Sequence, residues 1–144
     1  MPSQLSSNRA LLHGKRVLII EGDDELYRAL AEILAAAGCT VSDCVMLSTW
    51  GHSSEVSVWV PDRTLDLALV DNDSGNPATL VCVQRLSDCG IPILITYDPA
   101  RSLLVPTSRS QRQLRKPFTE SELLDSISEL AALGTSPPSD LLRA

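Results

Sequence analysis

The sequence predicts an α/β domain built on a doubly wound, five-stranded parallel sheet. Two observations carry this. Short apolar runs rich in β-branched residues recur along the chain, each the length of a buried strand. Between them lie segments with helical spacing or helix-cap signals, so strand and helix alternate. With 144 residues the chain has room for one domain of ordinary size, and 44% hydrophobic residues supply a core.

Residues 1–14 are polar and aperiodic and read as an N-terminal tail. The domain is placed at 15–134, with a second tail at 135–144. Arg16 to Ile20 (RVLII) is the first strand, stopped by Glu21-Gly22-Asp23-Asp24. A helix follows at once. Asp23 or Asp24 can cap it, since carboxylates suit the positive end of the helix dipole. Leu26, Leu30, Ile33, Leu34 and Ala37 give it one apolar face, and Gly38 ends it. Thr40 to Val45 reads as a weak second strand. Residues 46–62 resist assignment: Met46, Leu47 and Trp50 could open a helix, whereas Val56 to Val60 alternates like a strand. By analogy with the neighbouring units this segment should hold the second helix.

Leu67 to Val70 is the third strand and ends at Asp71. Asn76 can cap the next helix with Pro77 at its first position. That helix is expected to bury Leu80, Val81, Val83 and Leu86, and to stop at Gly90. Ile91 to Ile95 is the fourth strand, ending at Thr96. Pro99 and Pro106 leave only a short or broken helix in 97–110. Gln111 to Arg115 is polar, which suits a fifth strand at a sheet edge. Thr119 and Glu122 form a capping box for the last helix, with Leu123, Leu124, Ile127 and Leu130 as its stripe and Gly134 at its end.

Composition removes several functions. Twelve basic against eighteen acidic residues give a net charge of −6, and aromatics are 3%. Direct nucleic-acid binding needs the opposite balance. No apolar run nears the ~20 residues of a membrane span, and no signal peptide is visible, so a cytoplasmic location with no membrane contact is expected. Cys39, Cys44, Cys82 and Cys89 contain no C-x-x-C pair and read as reduced thiols rather than zinc ligands. His13 and His52 read as exposed and non-catalytic. Trp50 and Trp59 read as packing or contact residues. The acidic turn after the first strand argues against a flavin or nucleotide site, which needs glycine-rich turns and free N–H groups.

In open parallel sheets ligands bind beyond the carboxyl ends of the strands. Glu21 and Asp23, then Asp71, Thr96 and Lys116 follow or close four strands, and should converge. Clustered carboxylates suit a hard cation such as Mg²⁺. A carboxylate can accept a phosphoryl group, with a metal and a lysine neutralising its oxygens.

The segments RVLIIEGDDELYRALAEILAAAGCTV, DLALVD, IPILIT and LRKPFTESELLDSI together resemble the receiver domains of two-component response regulators, over about Arg16 to Leu130. GIPILITYDPA with LRKPF is most similar to stand-alone receivers of alphaproteobacteria. The resemblance implies a flavodoxin-like sheet of order 2-1-3-4-5. It implies Asp71 as phospho-acceptor, Thr96 as the switch hydroxyl and Lys116 as the lysine that pairs with both acceptor and phosphoryl group. It implies Mg²⁺ held by Glu21, Asp71 and the carbonyl of Asp73, with Asp23 as a further candidate. The Lys116–Pro117 bond is often cis in the family.

The partners implied are a histidine kinase or phosphotransfer protein and a downstream protein; a homodimer is also open. Apart from its own phosphorylation and dephosphorylation, no enzymatic activity is implied. The chain departs from the family at Gly22, where the second acid and usual metal ligand stands. It also departs at Tyr97, where a small residue is preferred, at Gln113, the aromatic switch position, and in residues 46–62. Gly22 and Tyr97 favour an alternative, a pseudo-receiver that keeps the fold as a phosphorylation-independent binding module.

Overall fold

The computed structural model describes residues 10–42, 64–72, 77–100 and 111–134. The strands are β1 (Arg16–Ile20), β2 (Thr40–Ser42), β3 (Leu67–Asp71), β4 (Ile93–Tyr97) and β5 (Gln111–Arg115). The helices are α1 (Asp24–Ala36), α2 (Pro77–Asp88) and α3 (Glu120–Gly134). All four strand pairings are parallel, and the order is β2-β1-β3-β4-β5. The expected fold class and strand order are those observed.

Alternation along the strands builds two cores, because successive side chains leave opposite faces of a sheet. Leu18, Ile20, Ala68, Val70, Ile93 and Ile95 pack with Cys82, Val83 and Leu86 of α2. Val17, Ile19, Leu67, Leu69, Leu94 and Leu114 pack with Leu30 and Leu34 of α1 and Leu123, Ile127 and Leu130 of α3. The sheet is thus sandwiched between helices, which is why its central strands are apolar on both faces.

The helix ends follow their local chemistry. Asp23 is the N-cap of α1, its Oδ1 accepting from the N–H groups of Glu25 (2.9 Å) and Leu26 (3.1 Å). Gly38 closes α1 at φ +94°, and a Cβ there would meet Nδ1 of His13 at 2.6 Å, so only glycine fits. At α3 the capping box is reciprocal: Glu122 N–H donates to Thr119 Oγ1 (3.0 Å), and Thr119 N–H donates to Glu122 Oε1 (3.1 Å).

Three sequence expectations change. Residues 10–14 are not a loose tail: Leu12 is fully buried in the α1/α3 core, and Gly14 N–H donates to Gly38 O (2.8 Å). His13 is exposed, as expected. In α2 the buried positions are Thr79, Cys82, Val83 and Leu86, while Leu80 is 58% and Val81 37% exposed. The docked face follows helical spacing from Thr79, so the more apolar pair points outward. Strand β4 starts at Ile93, two residues late, and runs through Tyr97. Ile91 N–H instead closes α2 on Leu86 O (3.0 Å), and Pro92 has no N–H to give a ladder.

Strands β1 and β5 have the expected bounds, with β5 at the edge. The second strand is seen as Thr40–Ser42, and Cys44, Val45 and residues 46–62 lie outside the described residues, as do Asn76 and residues 101–110. Cys39 and Cys82 are buried and Cys89 half-buried, and none of these three is in a disulfide. Among the described residues no helix is long and apolar enough to cross a membrane.

Candidate functional site

The carboxyl edge of the sheet gathers four of the predicted residues on one face. Asp71 and Thr96 are direct register partners across β3 and β4. Asp71 has the parity of Leu67 and Leu69, and Thr96 that of Leu94, so both belong to the α1/α3 face. Ile20 pairs with Val70, which brings Glu21 level with Asp71. Arg115 pairs with Tyr97, and Lys116 N–H donates to Tyr97 O (2.7 Å), which fixes where the lysine leaves the sheet. Asn72 N–H donates to Thr96 O (2.9 Å) and ties the turn after Asp71 to β4.

Glu21, Asp71 and Thr96 are all buried, at 3%, 5% and 2% exposure. Lys116 Nζ donates to Asp71 Oδ1 at 2.9 Å and forms an ion pair with it. The Lys116–Pro117 peptide is cis. Glu21 is held on its other side by the N–H of Asp23 (3.2 Å to Oε1).

Burial pushes the Glu21 carboxyl up to about 7, and the charge of Asp71 adds to this. The Asp23 N–H and the Lys116 ammonium pull it down, more weakly, while a side-chain hydrogen bond with Asp71 also favours the protonated acid. Among the described residues the site is therefore two buried carboxyls with one ammonium, that of Lys116, against them, which leaves these groups short of positive charge.

That shortage bears on Mg²⁺. Glu21 and Asp71 are oxygen donors of the type a hard cation takes, and a cation beside them would relieve the repulsion that raises Glu21. The donor chemistry fits, although among the described residues no three His, Cys, Asp or Glu side chains form a metal-holding group. Asp23 has Oδ1 committed to the start of α1, and Asp73 lies outside the described residues. At Gly22 an added Cβ would meet nothing within 4 Å.

Sequence reasoning did not find a groove of about 470 Å³ beside the ion pair, lined by Leu26, Asp98, Lys116, Pro117 and Phe118. Its signal was present in Leu26 and Phe118, apolar residues at the first turn of α1 and just before α3. Both pack on the α1/α3 core while staying partly exposed.

No family model matches this chain, and no curated protein does. Solved structures do match. A response regulator receiver protein from Sinorhizobium medicae WSM419 superposes with a TM-score of 0.60 at 17% identity, over 85% of this chain and 98% of that one. The receiver domain of the PhyR response regulator from Erythrobacter litoralis gives 0.65 at 19% identity, over 88% and 96%. The response regulator PhyR from Brucella abortus gives 0.64 at 16% identity, over 89% of this chain and 52% of that one. At these identities the likeness shows the fold: the chain has the architecture of a response regulator receiver domain.

Proposed function

We propose that this chain is a receiver that takes a phosphoryl group onto Asp71 from a histidine kinase or phosphotransfer protein. It then signals by protein contact in the cytoplasm. The observation that carries this reading is the 2.9 Å ion pair between Asp71 and Lys116, set beside buried Glu21 and Thr96 at the carboxyl edge of this fold.

The chemistry asked of these residues is limited. A carboxylate oxygen of Asp71 attacks phosphorus, the donor's P–N bond breaks, and its electron pair stays with the departing imidazole. Lys116 holds Asp71 Oδ1, which orients the carboxylate and keeps positive charge where the phosphoryl oxygens arrive. Thr96, the register partner of Asp71, would donate its hydroxyl to a phosphoryl oxygen. Glu21 and Asp71 would hold Mg²⁺, which when bound neutralises the charge on the transferring group. No activity is proposed beyond this transfer and the hydrolysis of the aspartyl phosphate by water, which returns the carboxylate and releases inorganic phosphate.

The test is chemical trapping. Acetyl phosphate with Mg²⁺ should yield an acyl phosphate that borohydride reduces, and peptide mapping should place the reduced residue at Asp71. Reduction at another carboxylate, or none, counts against the reading.

A second reading, a degenerate pseudo-receiver binding partners without phosphorylation, is favoured by Gly22 at the second acidic position and by the commitment of Asp23 to the α1 cap. Absence of labelling together with no response to Mg²⁺ would favour it.

A further inference from the structure

A second hollow, of about 260 Å³, opens at the amino edge of the sheet, where the strands begin. Lys15 lines it just before β1, Leu65 and Asp66 just before β3, and Cys89, Ile91 and Pro92 between α2 and β4. Strand β3 runs away from it, and four steps from Leu67 put Asp71 about 13 Å off at the opposite edge. The hollow is therefore separate from the acidic site.

Its lining is divided. Leu65 and Ile91 are buried and Pro92 half-buried, which gives an apolar floor. Two opposite charges line the same hollow, half-buried Lys15 and exposed Asp66, and no ion pair joins them. Backbone bonds hold both in place. Lys15 N–H donates to Leu12 O (3.0 Å), and Thr40 N–H donates to Lys15 O (2.8 Å). Asp66 N–H donates to Arg16 O (2.9 Å), while Asp66 Oδ2 accepts from Arg16 N–H (2.8 Å), which leaves Oδ1.

The neighbouring charges are committed elsewhere. The Arg16 guanidinium donates to Thr64 Oγ1 and Ser42 Oγ, and Asp88 Oδ1 accepts from Gln84 Nε2 (2.9 Å). Helix α2 ends at this hollow, and its carboxyl end adds partial negative charge.

We infer that this hollow binds a small zwitterion, a free α-amino acid with a short apolar side chain. Asp66 Oδ1 and the carboxyl end of α2 take the ammonium, Lys15 takes the carboxylate, and Leu65, Ile91 and Pro92 take the side chain. The volume lies below the ~300 Å³ at which pockets for drug-sized ligands begin, so a nucleotide or a peptide is too large. A ligand with one charge satisfies one wall and leaves the other without a partner, so both charges are needed. Neither Asp71 nor Lys116 takes part, and the inference stands apart from the phospho-acceptor reading.

The experiment is a ¹⁵N–¹H NMR titration of the full chain with L-valine. Saturable shifts are expected at the amides of Lys15, Asp66, Cys89 and Ile91. Isobutyrate, which lacks the ammonium, and isobutylamine, which lacks the carboxylate, should each bind about tenfold or more weakly. Lys15→Met keeps the aliphatic stem, and Asp66→Asn keeps an oxygen for Arg16 N–H, so both spare the fold. Each should weaken L-valine by about tenfold.

A chain of net charge −6 attracts any cation, so isobutylamine that binds as tightly as L-valine overturns the inference. So does isobutyrate that binds as tightly, and so does the absence of saturable shifts at these amides. Unchanged L-valine affinity in either variant, with a wild-type spectrum elsewhere, overturns it as well. The comparison of the three ligands on the wild-type chain decides even where a variant fails to fold.

Discussion

Lys116 and Asp71 are forty-five positions apart in sequence, yet the Nζ of one lies 2.9 Å from the Oδ1 of the other. The pair exists because β3 and β5 flank β4 in a parallel sheet, so their carboxyl ends arrive at the same edge. Against it stands Glu21, whose carboxyl is raised to about 7 by burial first and by Asp71 second.

The pair sets how Glu21 titrates. Asp71→Asn removes a charge and alters a hydrogen bond that both favour protonated Glu21, so Glu21 should titrate lower, yet above an ordinary glutamate because burial remains. Lys116→Met removes a cation that lowers it, so Glu21 should titrate higher. Carboxyl ¹³C NMR titration of the three proteins checks the order. A Glu21 that moves the same way in both variants contradicts the charge balance described here.

Glu21 also links stability to pH. Its folded value, about 7, lies above its ordinary 4.5, so the folded chain holds this proton longer than the unfolded one. The stability it contributes is fully present below about pH 4.5 and is lost as pH rises through about 7. Glu21→Gln keeps a neutral side chain throughout. In EDTA its melting temperature should fall less than the wild type's between about pH 5 and about pH 8. Parallel melting curves would contradict this.

Asp23 is a cap by geometry, with Oδ1 on two backbone N–H groups. Asp23→Ala should cost about 1 kcal/mol in urea unfolding, and Asp23→Ser should recover most of it. If Asp23→Ser keeps stability but abolishes the response to Mg²⁺, Asp23 is a metal ligand as well as a cap.

At Gly22 the space is open and the backbone needs no positive φ. Gly22→Asp adds an oxygen donor next to Glu21, so calorimetry should show Mg²⁺ binding about tenfold or more tightly, through ligand count and charge. An unchanged affinity would place the ion, if bound, away from Glu21.

Much of this was legible in the residues. The short apolar runs at Arg16–Ile20 and Leu67–Asp71 are strands because consecutive apolar residues of this length are buried on both faces of a parallel sheet, with Val17, Ile19 and Ile20 adding β-branched side chains in the first. The period of two already puts Asp71 on the side of Leu67 and Leu69, so convergence with Thr96 needed only the strand order. Where the reading slipped, tertiary docking chose between local options. Helix α2 turned Thr79 and Cys82 inward in place of Leu80 and Val81, because the angular phase of a helix is set by what it packs on. Leu12 reads as part of a tail because a lone apolar pair in a polar stretch has no period to detect. The groove stayed hidden because Leu26 and Phe118 are ninety-two positions apart and each alone reads as ordinary core.

The acceptor role of Asp71 is tested most directly by intact-mass spectrometry after incubation with acetyl phosphate and Mg²⁺, beside Asp71→Ala. The account predicts one added phosphoryl group on the wild type, none on the variant and none without Mg²⁺. An unmodified wild type, or an Asp71→Ala chain that is modified equally, would contradict it.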